Sequence, residues 1–208
     1  MNKVLEIIKR NKDDIIKPVV VLLAICIVIP LALSFTNKIT VNRIAALQKQ
    51  NEEKAMALLI KADEFEKTTF EGKKESFDFY IAKSADEKAL GYIFKTASKG
   101  YGGEISVMTA VGTDGKIKDI SILDAANETP GLGQNVTKES FYSQFAGKVA
   151  DITVEKGTIG STENKVNAVT GATISSKGVT SAVNKAMEYF TEYSNEALKD
   201  TEVVAVEK

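Results

Sequence analysis

A stretch of 20 residues without charge, Pro18–Asn37, constrains this chain more than any other feature. Its core, residues 19–33, consists almost entirely of Val, Leu, Ile and Ala. At a helical rise of ~1.5 Å per residue the stretch would extend roughly 30 Å, which is the thickness of the hydrocarbon layer of a bilayer. The sequence therefore predicts a single transmembrane helix, residues 18–37, which can accommodate Pro30 with a kink.

The charges on either side of this stretch predict its orientation. The N-terminal side carries five basic and three acidic residues: Lys3, Lys9, Arg10, Lys12, Lys17, Glu6, Asp13 and Asp14. The near C-terminal side has only Lys38 and Arg43. Because basic flanks stay in the cytoplasm, we expect residues 1–17 there and the domain beyond the membrane outside the cell. A cleaved signal peptide is the alternative, although the apolar core is longer than the usual ~7–15 residues.

The composition excludes several classes of enzyme. The chain has no histidine, which removes Ser-His-Asp triads and imidazole metal sites. Its single cysteine, Cys26, lies in the apolar stretch, so no disulfide, cysteine-ligated zinc or iron–sulfur cluster is expected. A net charge of −1 offers no basic surface for nucleic acid. A redox function would therefore require an organic cofactor.

The residues beyond the anchor predict an α+β arrangement. An amphipathic helix is expected over residues 40–66, in a stalk or lid that we place at 38–70. Strands rich in β-branched and aromatic residues are predicted at 77–82, 90–97, 104–111 and 117–123. Because Asp114-Gly115 is a hairpin signal and the strands follow one another closely, the sheet should be antiparallel.

The later part of the chain predicts a loop, short elements and a long helix. The loop covers residues 125–137, and a short helix near 138–146 and a strand near 151–155 follow. A last helix of about 20 residues then begins after Thr170–Thr173. Its predicted apolar face consists of Val179, Val183, Ala186, Met187 and Phe190. We assign residues 71–197 to one folded domain with flanking helices and 198–208 to a loose tail.

The segment Thr170–Ser176, Thr-Gly-Ala-Thr-Ile-Ser-Ser, surrounds hydroxyl groups with small residues at the predicted helix start. One interpretation is a plain N-terminus, with Thr or Ser as the N-cap and Gly in the turn. The other is a phosphate site, since free N–H groups and the aligned peptide dipoles favour negative charge there. On that interpretation one threonine would carry a phosphate-bearing cofactor.

Two glycine-containing loops admit similar alternatives. Glu128–Gly133, Glu-Thr-Pro-Gly-Leu-Gly, is either a tight turn or a backbone platform that a flat ligand can approach closely. Gly100-Tyr101-Gly102-Gly103 is a connector between two strands when it is taken alone.

Taken in order, Gly100–Gly103, Asp114–Ile117, Glu128–Gly133 and Thr170–Thr173 resemble the FMN-binding domain family of bacterial membrane redox pumps. The likeness covers roughly residues 1–195 and is greater to the G-type member of Rnf ferredoxin:NAD oxidoreductase complexes than to the C-type member of sodium-pumping quinone reductases. This resemblance implies FMN attached through a threonyl phosphoester, here on Thr173, with Thr170, Gly171 and Ala172 completing the recognition turn. A flavin transferase of the ApbE type would install the FMN from FAD.

The resemblance also implies further cofactor-binding residues and partners. The implied residues are Ser175 and the loop near the isoalloxazine ring, Glu128, Thr129, Pro130, Gly131, Leu132 and Gly133. The implied partners are the other membrane subunits of an Rnf complex, in which the chain would carry electrons without turning over a substrate of its own. One position departs from the family, because Asn167 stands where the transferase motif usually has an aspartate.

Two other functions remain open at this point. The chain could be the flavin-carrying subunit of a quinone-reductase pump or another respiratory reductase. It could also be an anchored assembly or sensor domain that never holds flavin. Neither a catalytic residue nor a metal site is predicted for this chain in any of the three cases.

Overall fold

Helix α1, Lys12–Leu59, opens the computed structural model, which describes residues 12–157 and 164–206, with side chains at 16–157 and 164–197. The helix has 48 residues and includes Pro18 and Pro30. Within the described residues it alone is long and apolar enough, by length and composition, to cross a membrane. Most of the segment predicted to be cytoplasmic, residues 1–17, lies outside the described residues.

The chain divides between Gln50 and Asn51 into two compact units. In the first unit the large apolar side chains of α1 are between 46% and 68% exposed. Soluble proteins rarely leave so continuous an apolar surface uncovered. The long apolar helix therefore fits membrane anchoring.

The second unit contains a five-stranded sheet. Its strands are β1 Glu64–Glu71, β2 Ser76–Lys83, β3 Ala89–Lys99, β4 Glu104–Gly112 and β5 Ile117–Asp124. Each strand pairs antiparallel with its neighbour in sequence, in the order β1-β2-β3-β4-β5. Gly115, at φ +77°, makes the turn between β4 and β5. The predicted α+β class and antiparallel sheet are confirmed.

Strand β1 corrects the predicted helix over residues 40–66. Helix α1 ends at Leu59, and β1 pairs with β2 along its whole length, from Glu64 opposite Lys83 to Glu71 opposite Ser76. Charged residues flank Phe65 and Phe70 in this strand, which is typical of the edge of a sheet. A helical pattern and an edge-strand pattern are difficult to separate in so short a polar segment.

Short elements connect the sheet to a long final helix. A 3-10 helix at Gly133–Thr137 leads into α2, Glu139–Tyr142, and a second 3-10 turn at Ser143–Phe145 follows. Strands β6, Thr153–Glu155, and β7, Lys165–Asn167, form a parallel pair. Helix α3 then runs over Thr173–Val206. It is longer than predicted, because it continues through most of the segment expected to be a loose tail.

Helices cover both faces of the sheet within the second unit. On one face Val179, Val183 and Met187 of α3 join Phe79 and Phe94 in the larger core. On the other face the last residues of α1 pack against a second group of buried side chains. That cluster comprises Ala55, Met56, Leu59, Ile60, Ala82, Ile93, Met108 and Ala110. Strand β4 lies between the two clusters, which explains why residues 107–112 are all buried.

Candidate functional site

The three loops that the sequence distinguishes meet at the start of α3. Gly100–Gly103 joins β3 to β4, Glu128–Gly133 follows β5, and the Thr170–Thr173 turn follows β7. Between them lies a cavity of about 490 Å³. Its walls are formed by Tyr101, Thr129, Leu132, Gly133, Gly171, Ala172, Thr173, Ile174 and Ser175. Segments far apart in sequence therefore form one concave site.

The first turn of α3 presents unpaired donors to this cavity. Thr173 is the first residue of the helix, and Ser176 donates its backbone N–H to the carbonyl of Ala172 at 3.0 Å. The N–H groups at positions 173–175 precede that bond and have no carbonyl partner in the helix. The macrodipole adds partial positive charge at the same end. This arrangement is suited to a phosphate group.

The hydroxyl group of Thr173 lies in the cavity wall. The residue is half-buried, and no hydrogen bond to its hydroxyl is found among the residues that the structure describes. A side chain at the first helical position cannot bond to a helical carbonyl four residues earlier, because none exists there. The hydroxyl is thus sterically and chemically available for modification.

The turn that places Thr173 is tightly organised. Gly171 has φ +76°, a conformation that glycine adopts readily, and a Cβ atom there would lie 3.1 Å from Cδ2 of Leu132. The N–H of Ala172 donates to the carbonyl of Val169 at 2.9 Å. The buried hydroxyl of Ser176 accepts from the N–H of Val169 at 2.9 Å and donates to the carbonyl of Ala172 at 3.0 Å. These bonds hold the turn in one conformation.

Glu128 connects all three loops from behind the cavity wall. Its side chain is 2% exposed. One carboxylate oxygen accepts the N–H of Gly102 at 3.0 Å, and the other accepts the hydroxyl of Ser175 at 2.5 Å. The predicted contact between Glu128 and a ligand is therefore replaced by contacts within the protein, and the residue supports the wall instead of lining the cavity.

Glycines make room for this carboxylate. A Cβ atom on Gly100 would overlap one carboxylate oxygen of Glu128, and one on Gly133 would lie 2.6 Å from the other. Real Cβ atoms do not approach oxygen so closely, so both positions require glycine. Gly100–Gly103, a connector in the sequence, is thus a part of the site.

Exposed apolar side chains border the cavity. Tyr101 is 68% exposed, Ile174 54% and Leu132 47%. An apolar rim beside a set of free N–H groups suits a ligand with a flat aromatic part and an anionic part. Tyr101 and Ile174 were absent from the predicted contacts. The signal available was that Ile174 falls outside the apolar face of α3 and Tyr101 lies in a glycine turn, where a core role is unexpected.

The remaining predicted residues occupy different places. Thr129, Leu132, Gly133, Gly171, Ala172, Thr173 and Ser175 line the cavity. Pro130 and Gly131 are exposed in the loop, with Gly131 at φ +74°. Thr170 is exposed and borders a neighbouring cavity of about 540 Å³. No group of three acidic or cysteine side chains that could hold a metal is found within residues 12–157 and 164–206.

The neighbouring cavity contains Asn167, where the residues depart from the family pattern. The side chain of Gln144 accepts the backbone N–H of Asn167 at 2.8 Å and donates to its carbonyl at 3.4 Å. These bonds extend the β7 pairing and position the chain that leads to Thr170. The approach to the Thr173 turn is therefore fixed by α2 and the residues after it.

Comparison with known proteins places this geometry in a family. Residues 100–188 match the FMN-binding domain family. The G-type member of the proton-translocating ferredoxin:NAD(+) oxidoreductase complex from Clostridium ljungdahlii is 43% identical over 152 residues, which cover 72% of this chain and 77% of the relative. Its counterpart in the Na(+)-translocating complex from Acetobacterium woodii is 36% identical over 190 residues, or 84% of this chain and 90% of the relative.

A solved structure shares the fold. The C-type member of the Na(+)-translocating NADH-quinone reductase from Parabacteroides distasonis superposes with a TM-score of 0.50 at 24% identity. The match covers 58% of this chain and 63% of that chain.

Proposed function

The chain belongs to the family of G-type members of ion-translocating ferredoxin:NAD(+) oxidoreductase complexes, and from this premise we propose that it carries FMN covalently on Thr173. Membership and the FMN-binding domain make it an electron-transfer flavoprotein subunit. The single observation that carries the finer proposal is the free hydroxyl of Thr173 at the mouth of the 490 Å³ cavity, beside the unpaired N–H groups of α3.

The residues present fit a flavin linked through its phosphate. The first turn of α3 offers backbone donors to the phosphate oxygens, and the side chains of Tyr101, Leu132 and Ile174 offer apolar surface to a flat ring. Gly171 and Gly133 keep the cavity wall free of side chains. When bound, FMN would supply one- and two-electron transfer, and the protein would bind and orient it.

Attachment requires a separate enzyme, for which we propose a flavin transferase of the ApbE type acting on FAD. The oxygen of Thr173 attacks the FAD phosphorus that bears riboflavin, and the bond from that phosphorus to the AMP oxygen breaks. AMP leaves, and the hydroxyl proton passes to a base of the transferase. No histidine exists in this chain to accept that proton. The product is a threonyl phosphoester of FMN.

We propose that the domain lies outside the cytoplasm and works beside other membrane subunits of an Rnf-type complex. The excess of basic residues before the apolar helix supports this orientation. Relatives named as subunits of ion-translocating complexes support the assembly. A covalent bond would prevent loss of the cofactor to the extracellular medium.

Mass spectrometry of the purified full chain tests the attachment site. Trypsin should release Val166–Lys177, which contains Thr170, Thr173, Ser175 and Ser176. After co-expression with a flavin transferase, we expect this peptide to gain the mass of FMN minus water, with fragment ions assigning the gain to Thr173. An unmodified peptide from cells that flavinylate a known acceptor would refute the proposal, and a gain on Thr170 would refute the assigned residue.

A further inference from the structure

Glu128 holds a carboxylate directly behind the wall of the Thr173 cavity. Ser175, which lines that cavity, donates its hydroxyl to one oxygen at 2.5 Å. Gly133, another wall residue, comes so close that a Cβ atom there would lie 2.6 Å from the same oxygen. A single layer of protein atoms therefore separates Glu128 from whatever occupies the cavity.

The donors around Glu128 stabilise a negative charge without neutralising it. Both oxygens accept hydrogen bonds, from the N–H of Gly102 and the hydroxyl of Ser175. The 2.5 Å distance is typical of a hydroxyl bonded to an ionised carboxylate. No lysine or arginine forms an ion pair with Glu128 in the part of the chain that the structure describes. Since the side chain is 2% exposed, solvent screens this charge weakly.

We propose that Glu128 is a positioning residue whose buried charge lowers the reduction potential of FMN held at Thr173. This inference rests on the proposed function. Reduction places additional electron density on the flavin, and a fixed negative charge nearby opposes it. The same carboxylate also binds the three loops together, so the element that shapes the cavity sets its electrostatic potential.

Glu128→Gln separates the charge from the shape. The amide is nearly isosteric, its oxygen can accept from Gly102, and its NH₂ can donate to the Ser175 oxygen. We expect the flavinylated full-length variant in detergent to show a more positive midpoint potential, by at least tenfold in the equilibrium constant for reduction, or about 30 mV for a two-electron couple. An unchanged potential in a flavinylated variant overturns the inference.

Ser175→Ala provides a second test with the opposite sign. It keeps the charge and removes a donor that disperses it, so the potential should become more negative, by less than tenfold. A general loosening of the site would move both variants in the same direction. If Glu128→Gln does not fold, Ser175→Ala decides alone, and a positive shift or none overturns the inference.

Glu104→Gln is the matched control. Glu104 follows the same glycine turn but is exposed, so solvent should screen its charge and the potential should not move. Mass spectrometry of Val166–Lys177 accompanies each measurement. Flavin on the wild type with no shift in Glu128→Gln rejects only this inference, whereas no flavin on the wild type rejects the proposed function as well. A folded Glu128→Gln protein that the transferase leaves unmodified also overturns the inference, since it assigns Glu128 to attachment.

Discussion

The first and last helices of this chain are both rich in apolar residues, yet their side chains meet different surroundings. In α1 the large apolar residues of the first unit are between 46% and 68% exposed. In α3 Val179, Val183 and Met187 are at most 2% exposed, because they pack on the sheet. Apolar content alone does not distinguish an anchor from a core helix. The uninterrupted apolar surface of α1 needs lipid, whereas the one-sided face of α3 needs a partner element.

The threonines of the two helices teach a related lesson. Thr36 and Thr40 in α1 donate their hydroxyls to carbonyls four residues earlier, at 2.9 Å and 2.8 Å. Thr180 and Thr191 do the same within α3, at 2.9 Å and 2.8 Å. Thr173 has no such carbonyl because the helix begins with it. Position in the helix therefore decides whether a threonine hydroxyl is occupied or available.

The largest expected effect is on attachment. Thr173→Ala should abolish covalent flavin completely and change the free energy of unfolding by less than about 0.5 kcal/mol, because the hydroxyl supports nothing in the fold. Thr36→Ala, which removes an internally bonded hydroxyl of α1, should retain full flavin. In-gel flavin fluorescence after denaturation measures both. Fluorescence that survives in Thr173→Ala would contradict the assignment.

The next effect concerns packing. Met187→Ala should lower the free energy of unfolding of the domain by about 2–5 kcal/mol, the usual cost of a cavity in a core. Leu22→Ala, at a position 63% exposed in α1, should leave the stability of the domain unchanged. Chemical denaturation of both full-length variants in detergent, followed by circular dichroism, would compare them. Equal destabilisation would show that the contrast between the helices is wrong.

A smaller effect arises at the turn that begins α3. Gly171→Ala places a Cβ atom in the left-handed region, which costs roughly 1–2 kcal/mol, and brings it to 3.1 Å from Leu132. Gly147→Ala is matched to it, since Gly147 has φ +78° with open space around it. Both variants should lose similar stability in thermal unfolding. Only Gly171→Ala should also reduce the flavinylated fraction, and an equal reduction in both would reject a specific role for the turn.

The smallest effect involves the polar surface of α3. Hydrogen bonds from Tyr189 and then Lys185 lower the pKa of Glu75 below its usual 4.5. Because the folded-state pKa is depressed, this contribution is complete above the unfolded-state pKa and disappears as the pH falls through the folded-state pKa. Glu75→Gln should therefore lower the melting temperature slightly at neutral pH, with a difference that closes in strongly acidic buffer. The exposed Glu139→Gln is the control, and a difference independent of pH would contradict the linkage.

Much of the architecture can be predicted from local pattern. The uncharged stretch predicts α1, alternating β-branched and aromatic residues predict β2 to β5, and Asp114-Gly115 predicts a hairpin. Strand β1 escapes such reasoning, because its alternation of charged residues with Phe65 and Phe70 becomes a strand only by pairing with β2. The parallel pair of β6 and β7 has three residues per strand and leaves almost no sequence signal.

For the site, the sequence by itself determined the residue types: a hydroxyl followed by a helix, glycine loops, and no histidine to act as an acid or base. Those features are local, since capping, turn formation and charge depend on near neighbours along the chain. Only the tertiary structure decided that Glu128 faces inward to Ser175 and Gly102, and that Tyr101 and Ile174 border the cavity. Burial and long-range hydrogen bonds depend on which distant segments meet, and no periodicity within a single segment specifies that.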